Sequence, residues 1–129
     1  MTNKFVDTNI FIEIFTRRGQ KSDLCKKLAD SDNSLTTNIL VFSEVEWVLR
    51  SFYEMERDIV TKCLKIILSS KIEIENKNVL INCIDYYKNN NVDWTDCLNM
   101  FLVKEMEISK VYSYDKGLNK FNWIKRLEP

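Results

Sequence analysis

The sequence predicts an α/β fold whose mainly parallel sheet is covered by helices on both faces. Short segments of strand character alternate with longer segments of helical spacing from one end to the other. At 129 residues and 45% hydrophobic, the chain forms one domain, residues 1–129, able to bury a real core. No internal repeat, linker or low-complexity stretch breaks the alternation.

Lys4 to Val6 reads as a short strand, and Asn9 to Thr16 as a helix with Ile10, Phe11, Ile14 and Phe15 at helical spacing. Arg17-Arg18-Gly19 ends it. A second helix, Lys21 to Ser31, turns Leu24, Cys25 and Leu28 inward, and the polar residues 30–33 close it with a loop. Leu35 and Thr36 make a brief strand. From Asn38 to Tyr53, Val41, Val45, Val48 and Phe52 recur at intervals that mark one face of a long helix.

Glu56 to Ser69 is a further helix with Ile59, Cys63, Ile66 and Ile67 inward, and Lys71 to Glu75 alternates as a strand through Ile72 and Ile74. Asn78 to Lys88 is helical by Val79, Leu80, Cys83, Ile84 and Tyr87. After the loop at Asn89 to Asn91, a helix runs from Asp93 to Glu107. Lys110 to Ser113 reads as a strand, Asp115-Lys116-Gly117 as a turn, and Phe121 to Ile124 as the last strand.

Composition removes most chemistries. Without histidine there is no Ser-His-Asp triad, no Cys-His pair, no histidine-ligated zinc and no imidazole base. Two glycines, Gly19 and Gly117, cannot build a phosphate-cradling glycine loop. Cys25, Cys63, Cys83 and Cys97 form no Cys-x-x-Cys pair, so reduced, buried thiols in a soluble cytoplasmic protein are expected. No apolar run is long enough for a membrane span. Lys plus Arg and Asp plus Glu balance at 19 each, so an anionic substrate must be held by local patches or by metal. What remains for an enzyme is carboxylates and hard cations.

Several acids stand where ligands gather in open α/β folds, at the carboxyl ends of strands. Asp7, in Phe5-Val6-Asp7-Thr8-Asn9, follows the first strand and is either a helix cap or one wall of a metal site. Asp115 follows the strand Lys110 to Ser113, where a turn also has use for an aspartate. Asp93 and Asp96 share the first turn of a helix, where capping and the helix dipole favour negative charge. On the helix of Val41 and Val45, a rotation of about 100° per residue sets Glu44 at the border of the apolar stripe and Glu46 much further round. Glu44 is thus the better candidate for an inward site, with Glu46 the neighbour that could stand in for it.

Phe5-Val6-Asp7-Thr8-Asn9, Thr36-Thr37 through Glu44-Val45-Glu46-Trp47-Val48-Leu49-Arg50, Asp93-Trp94-Thr95-Asp96 and Val111-Tyr112-Ser113-Tyr114-Asp115 together resemble the PIN-domain ribonucleases. The likeness is strongest to the VapC-type toxins of type II toxin–antitoxin pairs. It covers nearly the whole chain in order. It implies a PIN-like three-layer α/β/α domain with a central, mainly parallel five-stranded sheet. It also implies an acidic quartet of Asp7, Glu44, Asp96 and Asp115 around one or two Mg²⁺ or Mn²⁺ ions, with Asn9, Asp93 and Ser113 in support. Oxygen-only ligands select such hard cations, which make water acidic enough to hydrolyse a phosphodiester. Ser113 stands where the family more often has threonine.

Through the resemblance, Arg17, Arg18, Arg50 and Lys116 are candidate RNA contacts. It further implies an RNA substrate with exposed loops, such as tRNA, a cognate VapB-type antitoxin, a homodimer, DNA contact only through the antitoxin, and no membrane. Exposed aromatic candidates for either protein interface are Trp47, Phe52 and Tyr53. A dehalogenase-type phosphatase needs Asp-x-Asp after the first strand, and Asn9 fails it. A receiver-type domain needs a phosphoacceptor aspartate that Ile72-Glu73-Ile74 lacks. A PIN-like binding module without nuclease activity and a free-standing RNA-processing PIN nuclease are the alternatives.

Overall fold

Three short parallel strands organise the first part of the chain. The computed structural model describes residues 3–31 and 34–129, and it divides into two units, residues 1–77 and 78–129. In the first, β1 (Lys4–Phe5) pairs with β2 (Leu35–Thr37), which pairs with β3 (Glu73–Ile74), in the order β1-β2-β3. Phe5 lies opposite Thr36, and Thr37 opposite Ile74. The Val6 N–H donates to the Thr36 carbonyl at 2.8 Å, so the first ladder runs up to the residue before Asp7. Parallel neighbours need long crossovers, and helices supply them: α1 (Thr8–Thr16) and α2 (Gln20–Ala29) lead to β2, then α3 (Ile39–Trp47) and α4 (Arg57–Ser69) to β3.

The expected inward faces shift in three helices. In α2 the buried face carries Ser22 and Cys25, whereas Leu24 is exposed. The Ser22 hydroxyl, donating to the Glu13 and Arg17 carbonyls, faces α2 toward α1 and turns Leu24 out. In α4 the buried set is Val60, Cys63, Leu64, Ile67 and Leu68, a complete helical stripe, and Ile59 and Ile66 face solvent. Both stripes exist in the sequence, and only packing chooses between them.

The long helix expected from Asn38 to Tyr53 is α3 followed directly by a π-helical segment, Val48–Phe52. The buried stripe is already set within α3, before the wider winding begins at Val48. Val41, Phe42, Val45, Glu46 and Leu49 are buried, Val48 is half-buried, and Phe52 is 74% exposed. The loop foreseen at residues 30–33 falls partly on residues 32 and 33, outside those described.

The second unit contains α5 (Lys77–Asn89, but for its first residue), α6 (Trp94–Glu105), β4 (Lys110–Tyr112), a 3₁₀ segment (Lys116–Lys120) and β5 (Lys125–Leu127). Val79, Leu80, Cys83, Ile84 and Tyr87 of α5 are all buried, as their spacing predicts. β4 and β5 are parallel, with Lys110 opposite Lys125 and Tyr112 opposite Leu127. The last strand therefore lies beyond Phe121 to Ile124. Those residues form a turn because their side chains are committed to packing: Phe121 is buried and the Trp123 indole donates to the Met100 carbonyl at 2.9 Å. Tyr86, Phe101, Phe121 and Trp123 pack as a ring cluster.

Five strands are present as expected, but among the described residues they form ladders of three and two strands rather than one five-stranded sheet. Strands of two or three residues offer few ladder hydrogen bonds, so each joins only the neighbour it can pair in register. All four cysteines are buried and none forms a disulfide. Among the described residues no helix is long and apolar enough to cross a membrane.

Candidate functional site

In the first unit, two acids meet on one hydroxyl-bearing residue. Asp7 adopts extended backbone, ends the β1 segment and caps α1, its Oδ1 accepting the Thr8 N–H at 2.8 Å. Thr8 is buried, and its Oγ1 donates to Glu44 Oε2 at 3.0 Å. Thr8 thus holds Asp7 through its backbone and Glu44 through its side chain. The strand ends are pinned as well. Thr37 Oγ1 donates to the Val6 carbonyl at 3.0 Å, and Asn38 Oδ1 caps α3 by accepting the Val41 N–H at 3.2 Å. Asn9 is exposed in the first turn of α1.

Glu44 and Glu46 reverse the burial expected of them. Glu46 is 2% exposed and bound to Arg50, with Nε to Oε2 at 2.6 Å and Nη2 to Oε1 at 3.4 Å, while Glu44 is exposed. Phe42, Val45, Glu46 and Leu49 form the inward stripe, so Glu46 is a structural acid neutralised from one turn away. Glu44 still has the better claim to a site, because it is solvent-accessible and held by Thr8 next to Asp7. Its place beside Asp7 comes from the Thr8 hydroxyl and not from an inward position on α3.

In the second unit, Asp93 caps α6, accepting the Asp96 N–H at 3.2 Å. Asp115 accepts the Gly117 N–H at 2.8 Å, starting the 3₁₀ segment, and its own N–H donates to Ser113 Oγ at 3.0 Å. A Cβ on Gly117 would meet Asp115 Oδ1 at 3.0 Å, so glycine leaves that carboxylate its place. Asp96 is half-buried, and its carboxyl is pushed above the ordinary aspartate range. Burial contributes most, followed by the charges of Asp93 and Asp115 and a side-chain hydrogen bond with Asp115. Two carboxyls share a hydrogen bond only with a proton between them, and a cation relieves the same repulsion.

The bland role and the candidate role coincide here: Asp7, Asp93 and Asp115 are all caps. Among the described residues, no three Asp, Glu or Cys side chains are gathered closely enough to hold a metal ion as they stand. The donor chemistry of the second unit nevertheless fits a hard cation, since Asp96 bears the negative charge of both Asp93 and Asp115.

Of the basic candidates, Arg50 is taken up by Glu46, Arg17 lies 4.0 Å from Glu13, and Arg18 and Lys116 are exposed. Trp47 and Phe52 are exposed, at 59% and 74%, and Tyr53 is half-buried. Sequence reasoning passed over Thr8 and Gly117. Each lies within two residues of a candidate aspartate, and that adjacency was the available signal.

A family model described as PIN domain matches residues 4–124. No curated protein matches the chain significantly. Among solved structures, VapC20 of Mycobacterium tuberculosis, a toxin that cleaves the sarcin-ricin loop, is similar over 99% of this chain and 100% of its own. Its identity is 15% and its TM-score 0.44, a likeness too distant to carry function.

Proposed function

Because the chain belongs to the PIN-domain family, we propose that it is a Mg²⁺- or Mn²⁺-dependent endoribonuclease, the toxin of a VapBC-type pair. The observation that carries this reading is the position of Asp96, partly buried and facing the charges of both Asp93 and Asp115, which leaves it reluctant to ionise without a counter-charge. A structural cap needs no such neighbours. The family match runs through both units, which supports treating residues 1–129 as one domain.

In this proposal Asp7, Glu44, Asp96 and Asp115 are the ligands of one metal site, with Asn9, Asp93 and Ser113 in support. When bound, the cation would supply charge neutralisation at phosphorus and a more acidic water. The chain's own groups prepare for it. Thr8 donates to both Asp7 and Glu44, and the Gly117 N–H orients Asp115. With no histidine, proton transfer falls to the carboxylates and water. The partners are RNA, a VapB-type antitoxin and a second copy of the chain, in the cytoplasm; Arg18 and Lys116 are the basic candidates left free to approach RNA.

Two measurements test it. Millimolar Mn²⁺ is expected to raise the melting temperature by several degrees through selective binding to the folded state. Asp7→Asn is expected to fold and to lose more than about 100-fold of metal-dependent RNA cleavage, beyond what loss of an outer-shell partner costs. An unchanged melting temperature, or full cleavage by the variant, removes the metal-site assignment.

A further inference from the structure

The β4–β5 ladder leaves one face basic at the strand starts and aromatic at the end that leads to Asp115. Lys110 and Lys125 are register partners, so their side chains leave the same face of the ladder, and both are exposed. Like charges directly opposite each other destabilise a sheet. Neither lysine has a carboxylate partner among the described residues. Two residues further on, Tyr112 shares that face and is 70% exposed, and Tyr114, also 70% exposed, immediately precedes Asp115.

Guarding an outer strand against aggregation explains a lysine there. It does not explain two exposed tyrosines, which have the opposite effect. We propose that Lys110, Lys125, Tyr112 and Tyr114 form a strip that binds single-stranded RNA and delivers it to Asp115. The lysines would take phosphates and the phenol rings would stack on bases. The inference rests on the nuclease reading above for what happens at Asp115, but the binding it describes is separable from cleavage. RNA is the occupant that fits, because unpaired cations beside stacking surfaces complement a polyanion whose bases are free.

The test is fluorescence anisotropy of a short labelled single-stranded RNA with the full chain, in EDTA so that nothing is cut. Tyr112→Ala and Tyr114→Ala are each expected to weaken binding about 5- to 100-fold, while Tyr112→Phe and Tyr114→Phe bind like the parent. Lys110→Gln and Lys125→Gln are each expected to lower the slope of log affinity against log salt by about 0.7. All these side chains are exposed, and unchanged melting temperatures will show that the variants fold.

The strip is overturned if the parent does not bind the RNA, or if the alanine variants bind it unchanged with the salt slope intact. It is equally overturned if they lose a protein partner and keep RNA. The two readings fail separately. An inactive Asp7→Asn beside alanine variants that bind and cleave normally removes the strip alone; a fully active Asp7→Asn beside weakened alanine variants removes the metal site alone.

Discussion

Asp7 and Glu44 are held by donors, whereas Asp96 is pressed by Asp93 and Asp115. In the first unit Thr8 stands between the acids and gives each a hydrogen bond. In the second the acids face each other, and Asp96 is pushed up by its burial and by its two neighbours. The first arrangement is complete as it stands; the second calls for a proton or a cation. Donor-held carboxylates thus fall in one unit of this chain and an electrostatically strained one in the other.

The largest effect tests whether the two sets work together. Asp96→Asn should silence RNA cleavage as thoroughly as Asp7→Asn, by more than about 100-fold. Normal cleavage by one variant beside a dead other would break the pairing. Thr8→Val is next: removing the hydroxyl leaves Glu44 without that donor, and cleavage should fall about 10- to 100-fold and return in Thr8→Ser. A harmless valine would mean that Thr8 only caps and packs.

Glu46 and Glu44 sharpen the comparison through stability. Glu46→Gln weakens a charge-assisted pair whose arginine is partly exposed, and should cost about 1–2 kcal/mol in denaturant unfolding with cleavage unchanged. Glu44→Gln should do the reverse, sparing stability and reducing cleavage. The smallest effect concerns pH. Asp96 has its folded carboxyl raised, so between the ordinary aspartate range and that higher value the folded state binds more protons than the unfolded one. Metal-free stability therefore falls as pH rises through that window. Asp96→Asn should flatten the fall and raise the melting temperature at neutral pH by a few degrees, and a lower melting temperature would show that helix-dipole complementation outweighs repulsion.

Much of the fold was legible where a single periodicity existed. In α5 only one apolar stripe is available, and all five of its residues are buried. In α4 two stripes overlap, and the sequence-based choice included Ile59 and Ile66, both exposed. The strand after Asp115 was misplaced because Phe121 and Trp123 look like strand residues but serve an aromatic cluster. Among the site residues, each aspartate lay where chain order put it, at a strand end or a helix start. Rotation from Val41, Val45, Val48 and Phe52 misassigned Glu44 and Glu46, because the buried stripe runs through Phe42 and Leu49 instead of Val48 and Phe52, and that stripe carries Glu46 inward.

The sequence by itself determined the chemistry: no histidine, two glycines, and aspartates at the ends of local elements. These are properties of residue type and neighbouring residues, which no packing can alter. Only the tertiary structure decided that Glu46 is buried against Arg50, that Thr8 reaches Glu44, and that Asp96 meets Asp115. The last two contacts join residues on different elements, 36 positions apart for Thr8 and Glu44. Their energies depend on distance and burial, which exist only once the chain has folded.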